Sequence, residues 1–193
     1  MPLKVWIKAK FADKALASLR KELMLFFNQQ DTVLDVGCGT GDLLMKASAN
    51  IQLGVGIDLD QSMIDFANKQ CQTSQVSNLH FKCVDALSFQ HTPFDIATST
   101  LCLHELPCEL ACELLSKMAE LSNRVIIADY AQANGMLSKV SIELDEMISG
   151  HYSRFRAYRK YGGIQEYAKQ CGLDVTRVVS SSIDGIHIWE LKK

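Results

Sequence analysis

Residues 33–42 read VLDVGCGTGD, an apolar run that ends in a turn with three glycines. The apolar run is typical of a buried strand, and a helical pattern begins near Leu43. Glycines at 37, 39 and 41 allow a positive φ and bring backbone N–H groups close to a ligand. The N-terminus of the following helix adds a partial positive charge that suits a carboxylate or a phosphate. The stretch therefore predicts a strand, a ligand-binding turn and a helix, in that order.

Short strand-like runs alternate with helical patterns on both sides of this stretch. They are residues 32–36, 53–57, 79–84, 94–97 and 124–128. Because helical segments separate them, we expect right-handed crossovers and parallel strands. A final hairpin, with arms at 173–179 and 186–191, adds antiparallel pairing. The predicted fold class is α/β: an open, doubly wound, mostly parallel seven-stranded sheet with a C-terminal antiparallel hairpin and helices on both faces.

The composition is that of an ordinary globular protein. Of the 193 residues, 48% are hydrophobic, yet no run approaches the roughly 18 apolar residues that a membrane span needs. No secretory signal is visible at residues 1–6, so we expect a cytoplasmic protein. A net charge of −2 gives no general attraction to nucleic-acid backbones or anionic lipids. The seven cysteines are scattered, which suits reduced thiols rather than disulfides.

The spacing of the glycines separates two classes of ligand. Dinucleotide enzymes carry G-x-G-x-x-G, but the third glycine position here is Asp42, an acid poorly suited to lie beside a pyrophosphate. The spacing is instead G-x-G-x-G, with Asp35 before the first glycine. This string resembles the first motif of the class I (Rossmann-like) S-adenosylmethionine-dependent methyltransferases of the small-molecule type. The resemblance covers roughly residues 30–130 and implies that Asp35 lies near the amino-acid end of the cofactor.

Two further strand-like runs lead into acidic residues, Asp58 and Asp85, at the edge where open α/β sheets bind ligands. A carboxylate at Asp58 can accept both hydroxyls of a ribose, which suits either S-adenosylmethionine or a nicotinamide cofactor. The resemblance implies that Asp85 binds the adenine amino group and that the N–H of Ala86 reaches a ring nitrogen. The predicted cofactor is S-adenosylmethionine, with S-adenosylhomocysteine as product. The predicted cofactor-binding residues are Asp35, Gly37, Gly39, Gly41, Asp58, Leu59, Asp85, Ala86 and Thr100.

His104 follows the fourth strand, where the resemblance places the start of the acceptor site. The ordinary pKa of histidine lies near physiological pH, so His104 is the candidate general base. The alternative is a histidine that only packs and forms hydrogen bonds. A zinc site with the nearby Cys102, Cys108 and Cys112 is disfavoured, because there is no C-x-x-C pair and the surrounding leucines fit a core. No metal site is predicted.

The segment after the fifth strand is where the resembling family shapes its acceptor site. Residues 151–161, HYSRFRAYRKY, mix aromatic rings with four cations. This composition suits an apolar or aromatic acceptor with an anionic group, although a solvated basic helix face is the alternative. Substrate contacts are predicted from Tyr130, His151, Tyr152 and Tyr158. The predicted partner is a small-molecule acceptor, with nucleic acid as the alternative.

We expect a single methyltransferase domain over residues 1–193, with residues 1–29 as a helical lead-in and 131–172 as acceptor-site helices. The resemblance implies direct displacement at the sulfonium methyl group, which needs no metal because the cofactor supplies the reactive group. Two other classes stay open: a protein that binds S-adenosylmethionine without transferring methyl, and an NAD(P)-dependent oxidoreductase.

Overall fold

The computed structural model describes residues 13–131 and 152–193. The strands are β1 (Thr32–Val36), β2 (Leu53–Asp58), β3 (Leu79–Cys83), β4 (Phe94–Thr100), β5 (Ser122–Tyr130), β6 (Asp174–Ser180) and β7 (Ile186–Lys192). The helices are α1 (Asp13–Ala15), α2 (Ala17–Met24), α3 (Asp42–Ala47), α4 (Gln61–Ser74), α5 (Cys108–Glu120), α6 (Tyr152–Tyr161) and α7 (Gly163–Gln170). Short 3₁₀ turns occur at Ser48–Asn50 and Leu103–Glu105.

All seven strands form one sheet in the order β3-β2-β1-β4-β5-β7-β6. Strands β1 to β5 pair in parallel, whereas β7 runs antiparallel to both β5 and β6. The predicted fold class is therefore confirmed. The strand order reverses between β1 and β4, and such a switch point opens a crevice at the carboxyl ends of the strands.

Helices cover both faces of the sheet. Helices α2, α3 and α4 pack against one face, which presents Val33, Ile96 and Ile126. Helices α5, α6 and α7 pack against the other face, through residues such as Leu34 and Ile127. Neighbouring strand residues point to opposite faces, so strands buried on both sides need the continuous apolar runs that the sequence contains.

Part of the predicted acceptor segment and of the predicted helical lead-in lies outside the described residues. This applies to residues 1–12 and 132–151. Helices α6 and α7 occupy most of the rest of the acceptor segment. Within the described ranges, no helix is both long enough and apolar enough to cross a bilayer.

Candidate active site

A cleft of about 360 Å³ opens at the carboxyl edge of the sheet, beside the ends of β1, β2, β3 and β4. Because parallel strands end at the same edge, residues far apart in sequence meet there. The cleft is lined by six of the predicted cofactor-binding residues: Gly37, Asp58, Leu59, Asp85, Ala86 and Thr100. The structure thus brings most of the predicted cofactor site together.

The other three predicted cofactor residues lie behind the cleft. Asp35 is buried within β1, with 3% of its surface exposed. Gly39 and Gly41 both adopt a positive φ, at +55° and +74°. A Cβ atom at Gly41 would lie 2.6 Å from Cζ of Phe81, so the close approach of this turn to β3 requires glycine. Gly39 and Gly41 shape the turn, and none of the three residues is among those that line the cleft.

Asp58 is held in place by two backbone groups. Its Oδ2 accepts a hydrogen bond from the N–H of Gly39 at 2.8 Å, and its Oδ1 accepts one from the N–H of Asp60 at 2.9 Å. A carboxylate oxygen can accept more than one hydrogen bond, so each oxygen retains capacity for a ligand. The carboxylate of Asp58 is therefore preoriented at the cleft.

Asp85 and Leu59 are exposed at the rim of the same cleft. Oδ1 of Asp85 accepts a hydrogen bond from the N–H of Leu87 at 3.0 Å and closes a local turn. Leu59 has 74% of its surface exposed, which is unusual for a leucine. Both residues therefore stand where an entering ligand would meet them first.

The charged side chains among the described residues that line the cleft are all acidic. Four carboxylates line it, from Asp58, Asp60, Asp85 and Glu105. The described lining residues include no lysine or arginine, although Arg154 donates to the backbone carbonyl of Glu105 at 3.1 Å. Such a lining attracts cations and repels phosphates.

His104 is buried against the end of β5. It is 2% exposed, and its Nδ1 lies 2.6 Å from Oδ1 of Asp129. Asp129 also accepts hydrogen bonds from the backbone N–H groups of Leu103 at 3.0 Å, His104 at 3.3 Å and Tyr130 at 2.7 Å. Asp129 is not among the predicted site residues, although an acid at the end of β5, beside the β4 strand that leads to His104, is a usable signal.

Aromatic rings surround the His104 imidazole. The ring of Tyr130 packs edge-on at a centroid distance of 4.6 Å, and the rings of Phe155 and Tyr158 lie at 6.2 and 6.3 Å. His104 itself does not line the cleft, but its neighbours Cys102 and Glu105 do. The candidate base therefore stands just behind the cleft wall, in a largely apolar setting.

Some of the predicted substrate contacts lie among the described residues and others do not. Tyr158 is buried, and its hydroxyl donates to the carbonyl of Tyr130 at 2.6 Å. Burial and the negative charge of Asp129 raise the pKa of Tyr158 well above its ordinary value, so its hydroxyl stays protonated. His151 and the side chain of Tyr152 lie outside the described residues.

Tyr130 and Tyr158 both line a second cleft of about 380 Å³, between β7 and the turn that joins α6 to α7. Its wall also includes His187 and Trp189, which sequence analysis did not single out. The described residues contain no cluster of histidine, cysteine or acidic side chains that could hold a metal ion.

Residues 33–124, just under half of the chain, match a family model described as a methyltransferase domain. This match includes the glycine turn, the carboxylates of the first cleft and His104. This part of the chain is therefore similar to a methyltransferase domain.

The chain is 34% identical over 84 residues to malonyl-[acyl-carrier protein] O-methyltransferase of Marinomonas sp. (strain MWYL1), across 42% of this chain and 30% of that protein. It is 38% identical over 52 residues to tRNA (uracil-5-)-methyltransferase homolog A of Mus musculus, across 27% of this chain and 8% of that protein. The chain thus spans less than a third of the length of these relatives. The relatives act on different kinds of acceptor.

The fold of the chain is also found among solved structures. The magnesium protoporphyrin IX methyltransferase from Synechocystis PCC 6803 with bound SAH superposes with a TM-score of 0.66 at 19% identity. The superposition covers 94% of this chain and 83% of that one. At this identity the similarity is one of fold.

Proposed function

We propose that the protein is an S-adenosylmethionine-dependent methyltransferase that transfers methyl by direct displacement to a small-molecule acceptor. The observation that carries this proposal is the cleft with four carboxylates and no lysine or arginine among its described lining residues. The family match and the glycine turn give the class of protein, and the charge of the cleft selects its ligand.

The acidic lining of the first cleft favours S-adenosylmethionine over a nicotinamide dinucleotide. S-adenosylmethionine has a sulfonium and an ammonium group against one carboxylate, so its net charge is positive. A dinucleotide instead carries a pyrophosphate, which four nearby carboxylates would repel. Each such pair at close range is worth about 1–4 kcal/mol, depending on solvent exposure. The electrostatic energy therefore favours the sulfonium cofactor at this site.

The remaining lining residues fit the same cofactor. Oγ1 of Thr100 is buried and finds no hydrogen-bond partner among the described residues, so it can donate to or accept from a ligand. The carboxylate of Asp58 would hold the ribose hydroxyls, and the exposed Leu59 with Leu106 and Leu110 would cover the adenine.

The cofactor supplies an electrophilic methyl group on a good leaving group, and the protein supplies orientation and a base. Because Nδ1 of His104 donates to Asp129, the lone pair of the neutral imidazole lies on Nε2. In the proposed reaction Nε2 would take a proton from an acceptor hydroxyl or amine, and Asp129 would stabilise the imidazolium that forms. The rings of Tyr130, Phe155 and Tyr158 keep water from this pair. Asp129 acts in this scheme as a positioning residue.

The overall charge supports a small-molecule acceptor over RNA. A protein that binds RNA neutralises phosphates with clustered lysines and arginines. Here the net charge is −2, and the cleft of the proposed cofactor site is acidic. The match to the tRNA methyltransferase relative covers only 8% of that protein's length. The charge is therefore the stronger evidence about the acceptor.

Calorimetric titration with S-adenosylhomocysteine and with NADH tests the proposal. We expect S-adenosylhomocysteine to bind and NADH not to bind. Asp58→Ala removes a charged hydrogen-bond acceptor and should weaken binding by about tenfold to a hundredfold. Asp65→Ala is the matched control. Asp65 is an exposed acid on α4, and its Oδ1 accepts a hydrogen bond from the Gln61 side chain.

Binding of NADH alone would overturn the proposal and indicate an oxidoreductase. Binding of S-adenosylhomocysteine that is unaffected by Asp58→Ala would place the cofactor elsewhere. A screen of small-molecule and RNA acceptors with a labelled methyl donor then tests transfer. Cofactor binding without transfer to any acceptor would indicate the noncatalytic binding protein.

A further inference from the structure

We propose that Leu101 is a positioning residue whose strained backbone shapes the wall of the first cleft. This role rests on the proposed function and adds a residue that acts through its backbone conformation. Among the described residues, two that are not glycine adopt a positive φ: Gln75 at +54° and Leu101 at +51°. A left-handed backbone is costly for such residues, because it brings Cβ close to the following carbonyl oxygen.

The positive φ of Gln75 follows from the end of a helix. Gln75 comes directly after α4, and its N–H donates to the carbonyl of Gln72 at 3.3 Å. The N–H of Val76 donates to the carbonyl of Cys71 at 3.0 Å. A left-handed residue in this position is a common way for a helix to end. The conformation of Gln75 therefore has a local structural explanation.

Leu101 does not end a helix but follows the last residue of β4. Its N–H donates to the carbonyl of Ala128 at 2.8 Å. Two residues later, the N–H of Leu103 donates to Oδ2 of Asp129 at 3.0 Å. Both bonds tie the chain to β5, so the backbone turns between two fixed attachments. Strained residues persist where the surrounding structure fixes them, and they are concentrated at functional sites.

The turn at Leu101 faces the first cleft. Thr100, Leu101 and Cys102 all line this cleft, whereas neighbouring side chains of a regular strand alternate between the two faces of the sheet. Cys102 also packs on the glycine turn, where a Cβ atom at Gly37 would lie 3.2 Å from its Sγ. The backbone of Leu101 thus sets how the end of β4 meets the turn that would hold the cofactor.

Two substitutions separate a role of the Leu101 backbone from a role of its side chain. Isoleucine keeps the apolar volume, but its branched Cβ makes a positive φ much less favourable. Asparagine keeps the branch at Cγ and tolerates a positive φ, but its side chain is polar. A backbone role predicts that Leu101→Ile impairs cofactor binding and that Leu101→Asn preserves it. A role of the apolar contact alone predicts the reverse order.

The test is calorimetric titration of both variants with S-adenosylhomocysteine. The apparent Kd rises in proportion as the binding-competent conformation becomes less populated. We expect Kd to rise by about fivefold or more in Leu101→Ile and by less than about threefold in Leu101→Asn.

Gln75→Ile is the matched control, because it places the same branched side chain at a similar positive φ. Gln75 is exposed and is not among the residues that line the cleft. Asp60 lines the cleft and caps the start of α4, and the 14 residues of that helix separate it from Gln75 by about 20 Å. Gln75→Ile should lower the urea denaturation midpoint and leave Kd for S-adenosylhomocysteine within about twofold.

The inference is overturned by an unchanged Kd in Leu101→Ile, by weaker binding in Leu101→Asn than in Leu101→Ile, or by an equal loss of binding in Gln75→Ile. If Leu101→Ile does not fold, Leu101→Asn decides alone, and a rise in its Kd above about threefold overturns the inference.

The same titrations separate this failure from failure of the proposed function. If S-adenosylhomocysteine binds the wild-type protein and binds more weakly to Asp58→Ala but not to Leu101→Ile, only the role of Leu101 is wrong. If it does not bind the wild-type protein, the proposed function is wrong, and the role of Leu101 fails with it.

Discussion

Asp129 is a fully buried carboxylate whose two oxygens accept from three backbone N–H groups and from the His104 ring. Burial of a charge is costly unless hydrogen bonds replace its hydration. Here they do, and the same bonds tie the 3₁₀ turn after β4 to the end of β5. Asp129 therefore has a structural role that does not depend on any reaction, as well as the positioning role proposed for His104.

The proposed base is tested by His104→Gln. Glutamine keeps hydrogen-bonding capacity but cannot take up a proton, so kcat should fall by about 10²–10⁴-fold. Rates are measured with an acceptor from the screen, alongside calorimetry with S-adenosylhomocysteine, whose Kd should not change. His80→Gln, at an exposed position on β3, is the control. An unchanged kcat would leave His104 with a packing role only.

Cys102 should be an unreactive thiol despite its place on the cleft wall. Burial, followed by the charges of Asp129 and Glu105, raises the pKa of Cys102 from 9.0 to about 12. The reactive thiolate is therefore scarce at neutral pH and increases up to a higher pH than usual. The rate of alkylation of Cys102 by iodoacetamide, followed by mass spectrometry of peptides, should reach half of its maximum at a pH well above 9.0, the midpoint for an ordinary thiol. Reaction as fast as that of the exposed Cys83 at neutral pH would contradict this.

At the scale of elements, the turn between β1 and α3 packs directly on β3 through Gly41 and Phe81. Gly41→Ala forces a Cβ into contact at 2.6 Å and strains a φ of +74°, so it should cost about 2–4 kcal/mol of unfolding free energy. Gly172→Ala is the control, since its φ is +66° but nothing lies within 4 Å. It should cost about 1 kcal/mol. Urea denaturation measures both, and equal losses would contradict the steric argument.

The Tyr158 hydroxyl links α6 to the end of β5 through the carbonyl of Tyr130. Tyr158→Phe leaves that buried carbonyl without this donor and should lower the free energy of unfolding by about 1 kcal/mol. Tyr161→Phe removes a hydroxyl that bonds to the exposed Gln170 side chain and should cost less than about 0.5 kcal/mol. Denaturation midpoints of the two variants provide the comparison, and a larger loss for Tyr161→Phe would contradict it.

Sequence patterns predict the elements well because strand and helix periods differ. Apolar residues at helical spacing flank the apolar runs of β1 and β5, and a polar turn connects the two strands of the final hairpin. The position of β7 between β5 and β6 is set by pairing between strands distant in sequence. Local patterns do not contain this information.

In the candidate site, too, some residues are predictable from local sequence patterns and others are not. Gly37 and Asp58 are predictable because each lies at the carboxyl end of a strand that local sequence patterns reveal. The contact of His104 with Asp129 depends on the pairing of β4 with β5. Likewise, His187 and Trp189 share a face of β7 by alternation, but the cleft they line also requires the turn between α6 and α7.

At the scale of the whole molecule, ligand binding and folding are coupled. S-adenosylhomocysteine at about 100 times its Kd should stabilise the protein by about 2.7 kcal/mol. For a chain of this size that corresponds to a rise in Tm of roughly 5–10 °C. Thermal denaturation with and without the ligand measures it. At the same ligand concentration the rise should fall to about half or less in Asp58→Ala, because binding there is about tenfold to a hundredfold weaker, and should be kept in Asp65→Ala. A rise of equal size in both would contradict the assignment of the first cleft.

The acidic lining of the first cleft has a consequence for turnover. In the proposed reaction the sulfonium becomes a neutral thioether, so the bound molecule loses one positive charge while the four carboxylates keep theirs. The electrostatic attraction between the cleft and the bound molecule therefore falls when the methyl group is transferred. The cleft thereby favours exchange of spent cofactor for a fresh methyl donor, and the step that completes the chemistry also speeds the release of its product.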